Sequence, residues 1–311
     1  MLVSICIPCY RSAKTLPIVI ENIKAEFAKR PEDYQIVLVN DCSPDNTFQV
    51  IKGLCAEDEK IVGVNLTRNY GQASAKIAAL QYVKGDVIVM MDDDGQHPAE
   101  GIFKLVDKLV QGGHDVVYAH FANKKHSGFK KITSNLHNWL AEKMGNKPKG
   151  VHRSSFSAWS RPVAEAVRDY PSPFVSIGAF MMHVTTNFAE VDIEHKERIE
   201  GKSGYTLKKL LKMWLNIFVS FSMVPLRIAS YLGFAFSAFG ALGGIYLVIR
   251  KILNPAIVAG YTSNVVLILL IGGIILVILG IMGEFLGRIY MTISGMPQFC
   301  VRQVVNAEKE E

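Results

Sequence analysis

The sequence predicts an α/β protein: a mostly parallel sheet covered by helices, followed by an amphipathic interfacial helix and two transmembrane helices. Three observations predict it. Over the first 120 residues, short apolar runs alternate with longer helical patterns. Each apolar run ends in a cluster of polar residues. In the C-terminal third, residues 228–249 and 265–283 form two uncharged, strongly apolar stretches of 22 and 19 residues.

The apolar runs at 3–7, 35–39, 61–65, 86–91 and 115–118 read as buried strands, and the patterns at 14–29, 47–55, 72–83 and 98–111 as helices. Such alternation builds βαβ units and a parallel sheet covered on both faces. Ligands of such sheets bind beyond the carboxyl ends of the strands. Those ends read Pro8-Cys9-Tyr10, Asn40-Asp41-Cys42-Ser43-Pro44-Asp45, Thr67-Arg68-Asn69-Tyr70-Gly71 and Asp92-Asp93-Asp94-Gly95-Gln96-His97. From about 120 to 205 the pattern loosens and turns basic, with Lys124, Lys125, His126, Lys130 and Lys131. Leu207, Leu210, Leu211, Trp214, Leu215 and Phe218 then form one apolar face opposite lysines, which suits a helix lying among lipid headgroups.

The two uncharged stretches each suffice to cross ~30 Å of hydrocarbon as a helix. The expected organisation is a catalytic domain over 1–206, a juxtamembrane helix over 207–227 and transmembrane helices over 228–250 and 264–286. A short external loop, 251–263, joins the helices, and a tail covers 287–311. No basic leader with an apolar stretch precedes the first strand, so the catalytic domain is expected in the cytoplasm. Lys208, Lys209, Lys212 and Arg227 before the first span, and Arg288 and Arg302 after the second, place both flanks there. The protein is thus expected to be a multi-pass protein of the plasma (inner) membrane. Five cysteines fit a reducing compartment; Cys6 and Cys9 form a C-x-x-C with no second pair, which is weak evidence for zinc. The net charge of +6 suits an anionic membrane surface and phosphate ligands, and no basic-aromatic motif points to nucleic acid.

Asp92 and Asp94, one residue apart at a strand end, can turn toward one site. Paired carboxylates there can hold a hard cation, Mg2+ or Mn2+, and leave positions open for phosphate oxygens; Gln96 adds a neutral oxygen. The plainer alternative is an acidic turn capping the helix that begins near Pro98. Asp41 can accept hydrogen bonds from a nucleotide's base or ribose, while Asp45 or Thr47 caps the following helix. No glycine-rich phosphate loop follows any strand, so a metal and basic side chains must meet the phosphates. His97 and His195 read as structural residues that make hydrogen bonds.

Pro8-Cys9-Tyr10, Val39-Asn40-Asp41-Cys42-Ser43-Pro44-Asp45-Asn46-Thr47, Arg68-Asn69-Tyr70-Gly71-Gln72 and Met91-Asp92-Asp93-Asp94-Gly95-Gln96-His97-Pro98 resemble, in order, the motifs of family 2 glycosyltransferases with the Rossmann-like GT-A fold. His195-Lys196-Glu197-Arg198-Ile199-Glu200-Gly201-Lys202-Ser203-Gly204-Tyr205, Phe221-Ser222-Met223-Val224-Pro225-Leu226-Arg227 and Gly283-Glu284-Phe285-Leu286-Gly287-Arg288-Ile289-Tyr290 resemble segments of its polyprenyl-phosphate members. Dolichol-phosphate mannose synthase and the bacterial undecaprenyl-phosphate sugar transferases belong to that group.

The resemblance implies an inverting, metal-dependent transfer of a sugar from a nucleotide sugar to a polyprenyl phosphate, in service of cell-envelope glycans. It implies that Pro8, Tyr10, Val39, Asn40 and Asp41 hold the nucleotide, with Asp92 and Asp93 beside the donor. Asp92, Asp94 and Gln96 would hold the metal, and Asp93, Asp94 and Arg198 would serve catalysis. Arg198, Lys202 and Lys131 would meet the lipid phosphate. Relatives often form homo-oligomers, and Gly240, Gly243 and Gly244 would let helices approach closely. Two alternatives stand beside this reading: a processive polysaccharide synthase, for which more spans and a Q-x-x-R-W segment are missing, and an inactive scaffold, against which Asp92-x-Asp94 speaks.

Overall fold

The computed structural model describes residues 1–121, 151–173, 176–194, 261–307 and single positions between 231 and 253. It divides into two compact units, one made of Met1–Gly204 with Pro297–Glu311, the other of Tyr205–Met296.

In the first unit the expected alternation is present: β1 (Leu2–Cys9), α1 (Leu16–Phe27), β2 (Asp33–Asn40), α2 (Thr47–Glu57), β3 (Ile61–Leu66), α3 (Gln72–Leu80), β4 (Val87–Met90), α4 (Glu100–Gly112) and β5 (Val116–His120). Further along lie β6 (Ser157–Ser160), α5 (Arg161–Arg168), α6 (Ile177–Val184), β7 (Phe188–Asp192) and, after the second unit, β8 (Val301–Val305). Among the described residues the eight strands form one sheet in the order β7-β5-β6-β4-β1-β2-β3-β8. Pairing makes β6 and β8 antiparallel to their neighbours and all other strands co-oriented, so the mostly parallel sheet expected is a mixed one. The segment read as a plain tail, 287–311, contributes β8 to this sheet.

Both faces of β1 are buried, as the continuous apolar runs require. Val3, Ile5 and Ile7 pack under α1, α2 and α4, while Cys6, with Val37, Val39, Ile88 and Met90, packs under α3 and α5. α4 shows the local logic: Ile102, Leu105, Val106 and Leu109 recur at helical spacing and are buried. It ends at Gly113, whose φ of 60° is left-handed, with the His114 N–H returning to the Leu109 carbonyl.

At the amino ends of the strands a buried polar knot ties three elements together. The Ser4 hydroxyl donates to Gln35 Oε1 (2.7 Å) and accepts from the Gly85 N–H (2.9 Å); Gln35 Nε2 donates to the Tyr82 carbonyl (2.9 Å). A Cβ on Gly85 would lie 2.6 Å from Ser4 N and 2.9 Å from the Leu2 carbonyl oxygen, both backbone atoms. Gly85→Ala is therefore expected to destabilise the domain by about 1–3 kcal/mol, read as a lowered melting temperature; an unchanged melt would contradict the packing.

The second unit contains α7 (Tyr261–Ile293), 33 residues and so about 50 Å long. It outruns the span expected over 264–286 at both ends. Its stretch Ile271–Ile293 is long and apolar enough to cross a membrane, with a mean hydropathy of 1.9 and none of it buried. Among the described residues it is the one helix that meets this criterion. About half of the span expected over 228–250 lies outside the described residues; its described positions are helical, and Tyr231, Phe234, Leu242, Ile245 and Ile249 are exposed.

Candidate active site

The strand order β3-β2-β1-β4 means that the chain steps outward from β1 and then returns to its other side. The order reverses at β1 and β4, and ligands of open α/β sheets bind beyond the carboxyl ends of the strands at such a point. The register pairs Cys9 with Asn40 and Cys6 with Met90, which brings Tyr10, Asp41 and Asp92 to one edge. Left-handed turns at Arg11 (φ 59°) and Cys42 (φ 51°) carry the chain off that edge; positive φ in non-glycine residues is uncommon and often marks functional turns.

Asp41 is 3% exposed. Its carboxylate accepts the Tyr70 N–H (2.7 Å) and the Gly71 N–H (2.9 Å), and its carbonyl accepts Asn69 Nδ2 (3.2 Å). Burial raises its pKa above the usual carboxylate range, and the two N–H groups offset part of that rise. The loop after β3 thus closes over Asp41. Its neighbour Asn40 turns inward: Nδ2 donates to Asn65 Oδ1 (2.8 Å) and Oδ1 accepts the Ser43 N–H (3.2 Å). Val39 is fully buried in the sheet, paired with Pro8 on one side and Val64 on the other, so it lines the site from within; Pro8 is buried and Tyr10 is exposed. Neither Asp45 nor Thr47 is the N-cap of α2, which is Asn46 with no side-chain cap bond; Asp45 instead accepts the Thr47 N–H and hydroxyl just before the helix.

The carboxylates after β4 have three different surroundings. Asp92 accepts Gln72 Nε2 (2.7 Å) and stands 3.6 Å from Lys76 Nζ and 3.8 Å from His97 Nε2. Burial would raise its pKa, but Lys76 and His97 hold it below the usual carboxylate range. Asp93 accepts the Tyr10 N–H (3.0 Å) and the Ser12 hydroxyl, so it shapes the turn after β1; burial, with Asp92 adding repulsion, raises its pKa. Asp94 is partly exposed and accepts the Gln96 N–H at 3.1 Å. His97 has the structural role expected: buried and stacked on Phe156 at 4.8 Å, it accepts the Asp92 N–H through Nδ1.

Among the described residues no group of three His, Cys, Asp or Glu side chains is arranged to hold a metal by itself. The side chains of Asp92, Asp94 and Gln96 offer oxygen donors, the kind that a hard cation takes while completing its shell from phosphates. Cys6 and Cys9 are buried, and burial pushes both thiols well above their ordinary pKa. A cavity of about 820 Å3, lined by Asp33, Tyr34, Gln35, Lys60 and Tyr82 among others, opens at the opposite edge of the sheet.

Sequence reasoning missed Ser12, Gln72 and Lys76. Lys76 is 9% exposed and stands in an otherwise apolar buried run, Ala75 to Leu80. A lysine in such a run is itself a signal, and Gln72 and Lys76, four apart on α3, reach the same carboxylate. Lys131, Arg198 and Lys202 lie outside the described residues.

The family model described as Glycosyl transferase family 2 matches residues 4–170. The undecaprenyl-phosphate 4-deoxy-4-formamido-L-arabinose transferase of Yersinia enterocolitica serotype O:8 / biotype 1B is 33% identical over 313 residues, covering 99% of this chain and 95% of its own. The protein of the same name from Yersinia pestis (strain Pestoides F) is 32% identical with the same coverage. Among solved structures, glucosyl-3-phosphoglycerate synthase from Mycobacterium tuberculosis, in complex with Mn2+ and uridine-diphosphate-glucose, is similar with a TM-score of 0.52 at 18% identity. That match covers 70% of this chain and 77% of the other, and it bears on the fold, the GT-A type.

Proposed function

Since the chain belongs to glycosyl transferase family 2, we propose that it moves a sugar from a nucleotide-diphosphate sugar to a polyprenyl phosphate at the cytoplasmic face of the membrane, with inversion. The observation that carries this reading is the placement of Asp41 and Asp92 at adjoining strand ends, held by the neighbouring residues Gly71 and Gln72, in a chain similar along almost its whole length to a transferase named for undecaprenyl phosphate.

Asp41, with Pro8 and Tyr10 beside it, receives the nucleoside. Asp93 holds the turn that carries Tyr10 through the Tyr10 N–H and the Ser12 hydroxyl. Asp92, Asp94 and Gln96 would hold Mg2+ or Mn2+, which when bound offsets the charge of the leaving diphosphate. A phosphate oxygen of the lipid attacks the anomeric carbon from the face opposite the nucleotide. The new C–O bond forms as the bond to the diphosphate breaks, and the nucleoside diphosphate leaves with the electron pair. A phosphate monoester is largely ionised at neutral pH, its second pKa being about 6, so the nucleophile needs positioning more than a strong base. Arg198, with Lys202 and Lys131, takes that positioning role, and its planar fork suits a phosphate.

Two spans, with the catalytic domain cytoplasmic, complete the reading. What supports the second crossing is β8: the chain leaves the sheet domain before the apolar segment and pairs with β3 of the same domain after it. An even number of crossings returns the chain to the side it left, and the pairing of β8 with β3 supports that count. Homo-oligomers through the Gly240, Gly243 and Gly244 face belong to the same proposal.

The test is transfer of labelled sugar in membranes holding the full chain, from a panel of nucleotide sugars, with and without added polyprenyl phosphate. Label is expected in the lipid phase only with the acceptor, and Arg198→Ala is expected to cut the rate roughly ten- to a hundredfold. Label appearing in a polysaccharide, or no transfer from any donor, would overturn the reading.

A further inference from the structure

β8 is the last strand among the described residues and an edge strand, yet it touches the loop that closes over Asp41. It pairs antiparallel with β3, Val64 opposite Val304 and Leu66 opposite Val301, with an irregularity between Asn65 and Leu66. Just past that irregularity the Thr67 N–H donates to the Cys300 carbonyl (3.0 Å), and Arg302 Nη2 donates to the Thr67 carbonyl (3.0 Å). Thr67 thus has both backbone groups held by the C-terminal segment. Three residues on, the Tyr70 and Gly71 N–H groups grip the Asp41 carboxylate. The loop is braced internally by the Thr67 Oγ1–Tyr70 hydroxyl contact (3.0 Å) and by Arg68 lying over the Tyr70 ring.

We propose that Arg302 is a positioning residue for the nucleotide site, setting the loop Thr67 to Gly71 so that it closes on Asp41; this rests on the reading of Asp41 as a nucleotide contact. Arg302 does not hold the strand in place alone. Asn306 Nδ2 donates to the Cys55 (2.5 Å) and Ile61 (3.1 Å) carbonyls, and Gln298 Nε2 donates to the Tyr170 and Ser172 carbonyls. With both ends of β8 pinned, the Arg302 guanidinium adds one charged donor at the point where β3 becomes the loop. A charged donor to a carbonyl is among the stronger protein hydrogen bonds. Its loss leaves the Thr67 carbonyl with only the weak Cys42 Sγ donor at 3.8 Å and loosens the loop that carries the two N–H groups facing Asp41.

The experiment uses the full chain in detergent. UDP, GDP and ADP, each with Mn2+, are titrated calorimetrically, and the nucleotide that binds the wild type is carried forward into transfer kinetics with its sugar. Arg302→Ala is expected to raise Kd and the donor KM roughly tenfold, with kcat changed by less than about twofold. Arg302→Lys, which keeps one charged donor, is expected to recover most of the loss. Asn306→Ala loosens the far end of β8 and is expected to lower the melting temperature while leaving Kd unchanged. A wild-type Kd in Arg302→Ala overturns the inference, as does a loss of affinity in Asn306→Ala that matches its loss of stability. Asp41→Asn separates the two levels: if it binds nucleotide as the wild type does, the reading of Asp41 fails, whereas a loss there with no change in Arg302→Ala fails the inference alone.

Discussion

Asp94→Ala is expected to reduce sugar transfer by roughly a hundred- to a thousandfold, the range seen when one preorganised stabiliser of transition-state charge is removed. The fold should survive. Asp94 is partly exposed, and its Oδ1 accepts the Gln96 N–H, a local cap whose loss costs about 1 kcal/mol. Asp92→Ala is the less clean variant. Asp92 stands by the nearly buried Lys76 and accepts from Gln72, so its removal leaves a buried cation without its carboxylate and lowers stability as well as activity. The measurement is initial transfer rate at saturating Mn2+, with the melting temperature and calorimetric Mn2+ binding followed in parallel. Excess chelator is expected to reproduce the Asp94→Ala rate in the wild type. Transfer within about threefold of wild type in both cases would remove the metal from the mechanism.

Asp41→Asn carries the second large effect. The side chain keeps its shape but exchanges one acceptor oxygen for a donor, and the two positions it must satisfy are the Tyr70 N–H at 2.7 Å and the Gly71 N–H at 2.9 Å. Whichever way the amide lies, one N–H faces another N–H in a site 3% exposed. An unsatisfied buried donor costs about 1–3 kcal/mol, and the loop must open to relieve it. Nucleotide affinity is expected to fall roughly ten- to a hundredfold, read by calorimetry, with a melting temperature lowered by several degrees. Affinity and melting temperature both equal to wild type would mean that the loop does not depend on Asp41.

Much of the fold was legible because the first 120 residues obey local rules. Val3, Ile5 and Ile7 are apolar because both faces of β1 are covered, and the polar residues begin where the strand leaves the sheet. β6, β7 and β8 were not legible. They are four or five residues long, and Val301-Arg302-Gln303-Val304-Val305 resembles any polar-apolar tail until its partner is known. That partner is β3, far away along the chain. The candidate site divides in the same way. Asp41 and Asp92 to Asp94 stand out at strand ends, where a sequence pattern places them. Asn40 looked equally exposed to a nucleotide, yet its amide ties β2 to β3 through Asn65. Lys76 was hidden because it sits in a helix, and only the packing of α3 against β1 and β2 brings it to Asp92.

The late position of β8 also sets an order of events during synthesis. Thr67 and its partner Arg302 are 235 residues apart along the chain. Until Arg302 and its neighbours leave the ribosome, β3 has an open outer edge with its hydrogen-bonding groups unpaired. By then the long apolar helix α7, which precedes β8, has already been made. The sheet is therefore finished last, by a strand made after all its other described strands. A nascent or prematurely ended chain has an unclosed sheet edge, the kind of surface on which chains pair wrongly with one another.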